Sequence, residues 1–112
     1  MQEALKVWLE DIKRCIAEIN EFLPASGSFH DFKNDLKTIR AIERNIEIIG
    51  EAMNRILHTE PKISISNSRK IVDTRNRIIH GYDSVSEDII WLIAVKYLPI
   101  LDVEIKALLR EV

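Results

Sequence analysis

Residues 29–59, FHDFKNDLKTIRAIERNIEIIGEAMNRILHT, decide the fold. The stretch contains no proline, has Gly50 as its one glycine, and places apolar residues at Phe32, Leu36, Ile39, Ile42, Ile46, Ile49, Met53, Ile56 and Leu57. Steps of three and four follow the period of an α-helix, so one face is apolar and the other is charged. The spacing predicts a single helix spanning roughly 45 Å, the spine of the molecule. Pro61 ends it, and Ser64-Ile-Ser-Asn-Ser68 supplies a short loop rich in capping residues.

The same pattern extends on both sides. Leu5, Trp8, Leu9, Ile12, Cys15, Ile16, Ile19, Phe22 and Leu23 form the stripe of a first helix over about residues 2–23, broken by Pro24-Ala-Ser-Gly-Ser28. Beyond the loop, Ile71, Val72, Arg75, Ile78 and Ile79 mark a third helix that stops at Gly81. Ser86 caps a fourth, about residues 87–98, acidic in its first turn and apolar on most sides, hence buried. Pro99 must kink or divide it, and Ile100 to Val112 reads as a final amphipathic helix. The expectation is an all-α, up-and-down bundle of four to five helices forming one domain over residues 1–112.

Bulk properties bound the function. At 46% hydrophobic and 30% charged residues the chain is ordinary globular material. Its formal net charge of −2 gives no general attraction to nucleic acid, so any RNA contact needs a local basic patch. Arg69, Lys70, Arg75 and Arg77, with Asp73 between them, are one candidate, and a solvated helix face explains them equally well. The single Cys15 excludes an internal disulfide and fits a reducing cytosol; it sits on an apolar stripe as a small hydrophobe. The N-terminus is amphipathic and acidic, unlike a signal peptide. Residues Ile89 to Leu101 are too short for a membrane span and are broken by Lys96. A cytoplasmic protein is expected.

The chemistry concentrates in Ile71-Val-Asp-Thr-Arg-Asn-Arg-Ile-Ile-His-Gly-Tyr82. Arg75 can clamp a phosphate through its planar fork, and His80 can move protons near neutral pH. RNA brings its own nucleophile, the 2′-hydroxyl. Cleavage then needs a base, an acid and a group that offsets charge on the phosphorane. Asn76 is placed to hold a phosphate oxygen or to orient His80. On a regular helix Arg75 and Tyr82 nearly superpose, whereas His80 lies about 140° from Arg75. Fraying at Gly81, or pairing of two copies, would bring Arg75 and His80 together, so the motif argues for a composite site at a dimer cleft. Read singly, His80 is a helix cap, Arg75 a surface charge and Tyr82 a packing residue.

The spacing Arg-x4-His-x-Tyr, followed by Asp83, closely resembles the signature of the HEPN superfamily, and more narrowly its HepT-like toxin ribonucleases. Ile48-Ile-Gly-Glu-Ala52, Arg40-Ala-Ile-Glu-Arg44, Leu9-Glu-Asp-Ile12, Trp91 and Leu98-Pro-Ile-Leu101 resemble other segments of that family, so the likeness covers nearly the whole chain. Two departures are Ser64-Ile-Ser66, where many relatives carry an aromatic, and Asp73, a position often small or apolar. The resemblance implies a metal-independent RNA endonuclease toxic to its own cell, acting on tRNA or mRNA. Arg75 and His80 would be its catalytic pair, Asn76 their polar companion and Glu51 at most a supporting group. Arg69, Lys70 and Arg77 would add RNA contacts. Tyr82 would be the phenol to which an MntA-type nucleotidyltransferase antitoxin transfers AMP. No cofactor or metal is implied.

Two other readings fit parts of the sequence. A non-catalytic helical dimer that binds a nucleotidyltransferase or a nucleotide suits the stripes and the acidic charge. A metal bundle suits the carboxylates of the long helix, but no Glu-x-x-His pair occurs and His30, His58 and His80 lack ligand spacing. The small size and the apolar fourth helix lead to the expectation of an isologous homodimer through the third and fourth helices.

Overall fold

Capping chemistry and apolar periodicity divide the chain into helices, and the computed structural model describes residues 2–81 and 85–112. Helix α1 is Gln2–Phe22, α2 Phe29–Lys33, α3 Leu36–Thr59, α4 Ser68–His80, α5 Glu87–Leu92 and α6 Leu98–Glu111, with a π-helical turn over Ile93–Tyr97 joining the last two. No strand occurs among the described residues. The all-α bundle expected from the periodicity is the fold. Because α5, the π turn and α6 run on without a break, the described residues make five helical segments in space.

Helix α3 is the spine, with α1, α4, α2 and α5 packed against it and α6 against α1. Leu9, Ile12, Ile16 and Ile19 of α1 are buried against Ile42, Ile46, Ile49, Met53 and Ile56 of α3 in one apolar cluster. Cys15, 1% exposed, belongs to that core, and burial pushes its thiol up from the ordinary value. At one end Trp91 packs on Phe32 (ring centroids 5.1 Å apart) and edge-on to Phe29 (5.9 Å).

The long second helix is in fact two. Asn34 turns its side-chain amide back to the His30 carbonyl (2.9 Å), and the Asp35 carboxylate accepts from the Thr38 amide (3.1 Å) and hydroxyl (2.7 Å). Short polar side chains that bond to nearby backbone end one helix and cap the next, which periodicity alone does not register. Leu36, counted in the apolar stripe, falls in the first turn of α3 and is 63% exposed. Its neighbour Thr38 holds the Asp35 carboxyl below the usual range. The cap therefore contributes above the unfolded carboxylate pKa and is lost as pH falls through the lowered folded value. Asp35→Ala should lower the melting temperature by a few degrees near neutral pH, a gap that closes in strong acid. A gap independent of pH would contradict the capping role.

The C-terminal third also departs from expectation. At Pro99 the helical run continues, but not as one regular helix: α5 ends at Leu92, a π-helical turn follows over Ile93–Tyr97, and Pro99 stands in the first turn of α6. A proline ring clashes with the carbonyl one turn back and offers no N–H, and the wide turn at Ile93–Tyr97, immediately before it, absorbs both demands. The expected burial of the fourth helix holds for Ile90, Ile93 and Ala94, but Leu92 and Val95 are 38% and 40% exposed. The loop before α4 is fixed by Ser66, whose amide and hydroxyl both donate to the Glu104 carboxylate of α6 (2.9 and 2.7 Å). Asn67 enters α4 in the left-handed region, and Gly81 terminates it at φ 65°, as a C-terminal glycine does.

Candidate active site

The site is built where α4 crosses α3. Gly50 is buried at the crossing. A Cβ built there would lie 2.8 Å from Arg75 Cγ and 3.2 Å from the Ile71 carbonyl, so only glycine lets the two helices approach this closely. The stem of Arg75 lies across Gly50, which leaves the side chain 22% exposed and aims the guanidinium at the next residue of α3. There Nη2 pairs with Glu51 Oε2, while Nη1 donates to Asn76 Oδ1 at 3.0 Å. Glu51 offers its other oxygen to Arg55 Nε at 3.0 Å.

Three of the expected residues, Arg75, Asn76 and Glu51, are thus brought together, with Glu51 as the residue that holds Arg75 in place. Arg75 Nε is buried and has no hydrogen-bond partner among the described residues. A buried cationic N–H without an acceptor is costly, and it leaves a donor that an anionic oxygen would satisfy.

His80 is the last residue of α4 and is exposed. The helix stays regular to that point, so the offset of about 140° from Arg75 stands, with Asn76 at about 100° between them. Within one chain, Arg75 faces the spine while His80 lies on the outer arc of α4.

The basic cluster is divided by the same geometry. Lys70 and Arg77 line a groove of about 380 Å³ between α4 and the α5–π segment, with Ile89, Leu92 and Tyr97 on its other wall. Lys70 Nζ donates to the Tyr97 hydroxyl at 3.0 Å and sits 5.0 Å from the ring centroid; that bond pulls the phenol below its ordinary pKa. Arg69 is exposed at the start of α4. Tyr82 and Asp83 lie outside the described residues.

Arg75 also lines a cleft of about 490 Å³ between α1, α3 and α4, whose walls include Trp8, Asp11, Glu47, Ile48 and Arg55. Sequence reading missed this cleft. Trp8 falls on the apolar stripe of α1 and packs, partly buried, against the core, and neither that stripe nor the spacing of Glu47 and Arg55 shows that they share a cavity. Among the described residues no three His, Cys, Asp or Glu side chains gather as a metal site, and no helix is long and apolar enough to cross a membrane.

Comparison with known proteins identifies the family of the chain. The family model described as ribonuclease HepT-like matches residues 12–108. A protein named as an RNase in Caldanaerobacter subterraneus subsp. tengcongensis is 35% identical over 85 residues, covering 75% of this chain and 76% of its own. One named as ribonuclease HepT in Thermococcus cleftensis is 35% identical over 92 residues, covering 81% and 83%. One named as an RNase in Methanocaldococcus jannaschii is 26% identical over 112 residues, covering 96% and 89%. No solved structure matches the chain. With a family model spanning most of its length and two relatives above 30% identity, the chain belongs to the HepT-like ribonuclease family of the HEPN superfamily, a family of endoribonucleases.

Proposed function

We propose that this protein is the toxin of a two-component toxin–antitoxin pair, a cytoplasmic, metal-independent endoribonuclease that cuts tRNA or mRNA and is silenced by AMP transfer to Tyr82. The observation that carries the reading is Arg75. It is a half-sequestered guanidinium, oriented by Glu51 and Asn76 and retaining a buried Nε with no acceptor among the described residues.

In this mechanism Arg75 receives the scissile phosphate, and its fork offsets the charge that grows on the phosphorane oxygens. His80 exchanges the protons: the 2′-hydroxyl loses one as it attacks phosphorus, and the departing 5′-oxygen gains one, leaving a 2′,3′-cyclic phosphate. Because Arg75 and His80 lie on different arcs of α4, a second copy supplies the missing partner at each cleft. Ile79, Leu92 and Val95, all 38–41% exposed on α4 and the α5–π segment, support an isologous dimer through these helices. Arg69 at the start of α4, with Lys70 and Arg77 along the groove beside the α5–π segment, would follow the RNA backbone.

Control follows from charge. An MntA-type nucleotidyltransferase would attach AMP from ATP to the Tyr82 phenol and release pyrophosphate. The new phosphodiester, two residues from His80, repels RNA and competes for the cations of α4. The test is intact-protein mass after co-expression with such a transferase, for wild type and Tyr82→Phe. Added AMP masses that vanish in the Phe variant are expected. An unmodified wild type beside a demonstrably active transferase would remove AMP transfer from the account.

A further inference from the structure

We propose that the cleft between α1, α3 and α4 is a nucleobase pocket, which takes one amino-bearing base of single-stranded RNA on the face of Trp8. This rests on the reading of Arg75 as the phosphate-binding group, because Arg75 forms one end of the same cleft. A nucleotide whose phosphate is held at Arg75 has its base within reach of the cavity.

The cleft, at about 490 Å³, falls in the size range of small-molecule sites. Its two kinds of wall suit a base. Trp8, with Val7 beside it 56% exposed and Ile48 across from it, provides an apolar face at the cleft. The protein's other tryptophan, Trp91, is occupied by Phe29 and Phe32, whereas among the described residues no ring stacks on Trp8. Every base has a π-face, and stacking on an indole is a general means of holding single-stranded RNA.

Away from its Arg75 end, the charges of the cleft argue against a second phosphate as occupant. Arg44, Arg55 and Arg75 face Asp11, Glu47 and Glu51, which sum to zero. They are already matched, Arg44 with Glu47 at 3.2 Å, and Arg55 (3.0 Å) and Arg75 both with Glu51, while Asp11 pairs with Arg14 of its own helix at 3.1 Å. A phosphate entering beyond Arg75 would meet the carboxylates of Asp11 and Glu47. A neutral, planar ligand with N–H donors meets acceptors instead. Asp11 and Glu47 each hold an arginine through one oxygen, Oδ1 and Oε2, and keep the other to accept from a ligand; ionised, they cannot donate, so they suit the exocyclic amine of cytosine, adenine or guanine. Uracil presents a carbonyl where cytosine carries that amine, and sets it against a carboxylate. Discrimination between cytosine and uracil isolates this effect, because the two rings stack with similar area.

The test uses Trp91→Phe, which leaves Trp8 as the sole tryptophan, titrated with 2′-O-methyl hexamers of cytidine and of uridine while fluorescence is read. These strands lack the attacking hydroxyl, so the readout is independent of cleavage. Saturable quenching by the cytidine strand is expected, with the uridine strand about ten-fold weaker or more. Asp11→Asn with Glu47→Gln should erase that difference. Trp8→Leu should weaken binding of a labelled cytidine strand by about ten-fold or more, and Trp8→Phe, which keeps a ring and most of the packing, by less. Absence of quenching, or equal quenching by both strands, overturns the pocket even where Arg75 proves essential for cleavage. Selective quenching in a protein whose Arg75→Ala variant still cleaves RNA keeps the pocket and removes the catalytic reading.

Discussion

Arg75→Ala is expected to lower kcat/KM for RNA cleavage by about 10²–10³-fold, and His80→Ala by about 10²–10⁴-fold, with folding intact in both. The Arg75 value is that of losing one pre-positioned donor to a developing oxyanion, and the His80 value that of losing a proton-transfer group. Arg75→Lys should recover little, since an ammonium keeps the charge but not the fork that spans Glu51, Asn76 and a phosphate oxygen. Glu51→Gln should cost less than either, because an amide oxygen at that position still accepts from the Arg75 guanidinium. The decisive version mixes the two inactive variants. If each cleft takes Arg75 from one subunit and His80 from the other, a mixed dimer holds one wild-type cleft and one doubly mutated cleft. Equal mixing should then restore about a quarter of wild-type activity. A mixture that stays dead would place both groups in one subunit, and full activity in either single variant would remove that residue from the chemistry.

How much of this was legible in the chain depends on the range of the interaction concerned. Ile39, Ile42, Ile46, Ile49, Met53 and Ile56 announced the spine because a repeating period is written locally, and all six are buried. Gly81 and Ser86 were legible for the same reason: a helix end depends on the residue at that end. The break at Asn34 and Asp35 was hidden because each residue is tolerable inside a helix. Only the competition of side-chain donors and acceptors with those of the backbone, won here by the Asn34 amide donating to the His30 carbonyl and the Asp35 carboxylate accepting from Thr38, divides the segment. Pro99 was read correctly as a disturbance, but the π turn that accommodates it depends on the packing around it. Resemblance to known ribonucleases pointed to Glu51, while its pairing with Arg75 across two helices became visible only in the fold. Trp8 lies on the apolar stripe and packs against the core as a stripe residue does, but a local period carries no trace of the cleft that opens beside it.

Gly50 carried no expectation at all, yet its substitution should have the second-largest effect. In Gly50→Ala the added carbon lies inside contact distance of the Arg75 stem and 3.2 Å from the Ile71 carbonyl. A side-chain end can swing away, but a carbonyl fixed in a helix and the first carbons of Arg75 move only if α4 moves. Overpacking of this kind costs about 1–3 kcal/mol, against roughly 1 kcal/mol gained because alanine is the better helix former. The net loss should appear as a melting temperature lower by several degrees, at about 4–8 °C per kcal/mol for a chain of this size. Gly50→Leu should be more severe, because its further carbons have only α4 to enter. Activity should fall by more than the stability loss explains. Lifting α4 from α3 withdraws the Arg75 guanidinium from Glu51, and a misplacement of about 1 Å at a catalytic group can cost on the order of 100-fold. Measured well below the melting temperature, Gly50→Ala should therefore retain its helix content and lose most of its kcat/KM. A variant that melts higher than wild type and cleaves normally would show that the α3–α4 crossing has slack, and that Arg75 does not depend on it for its position.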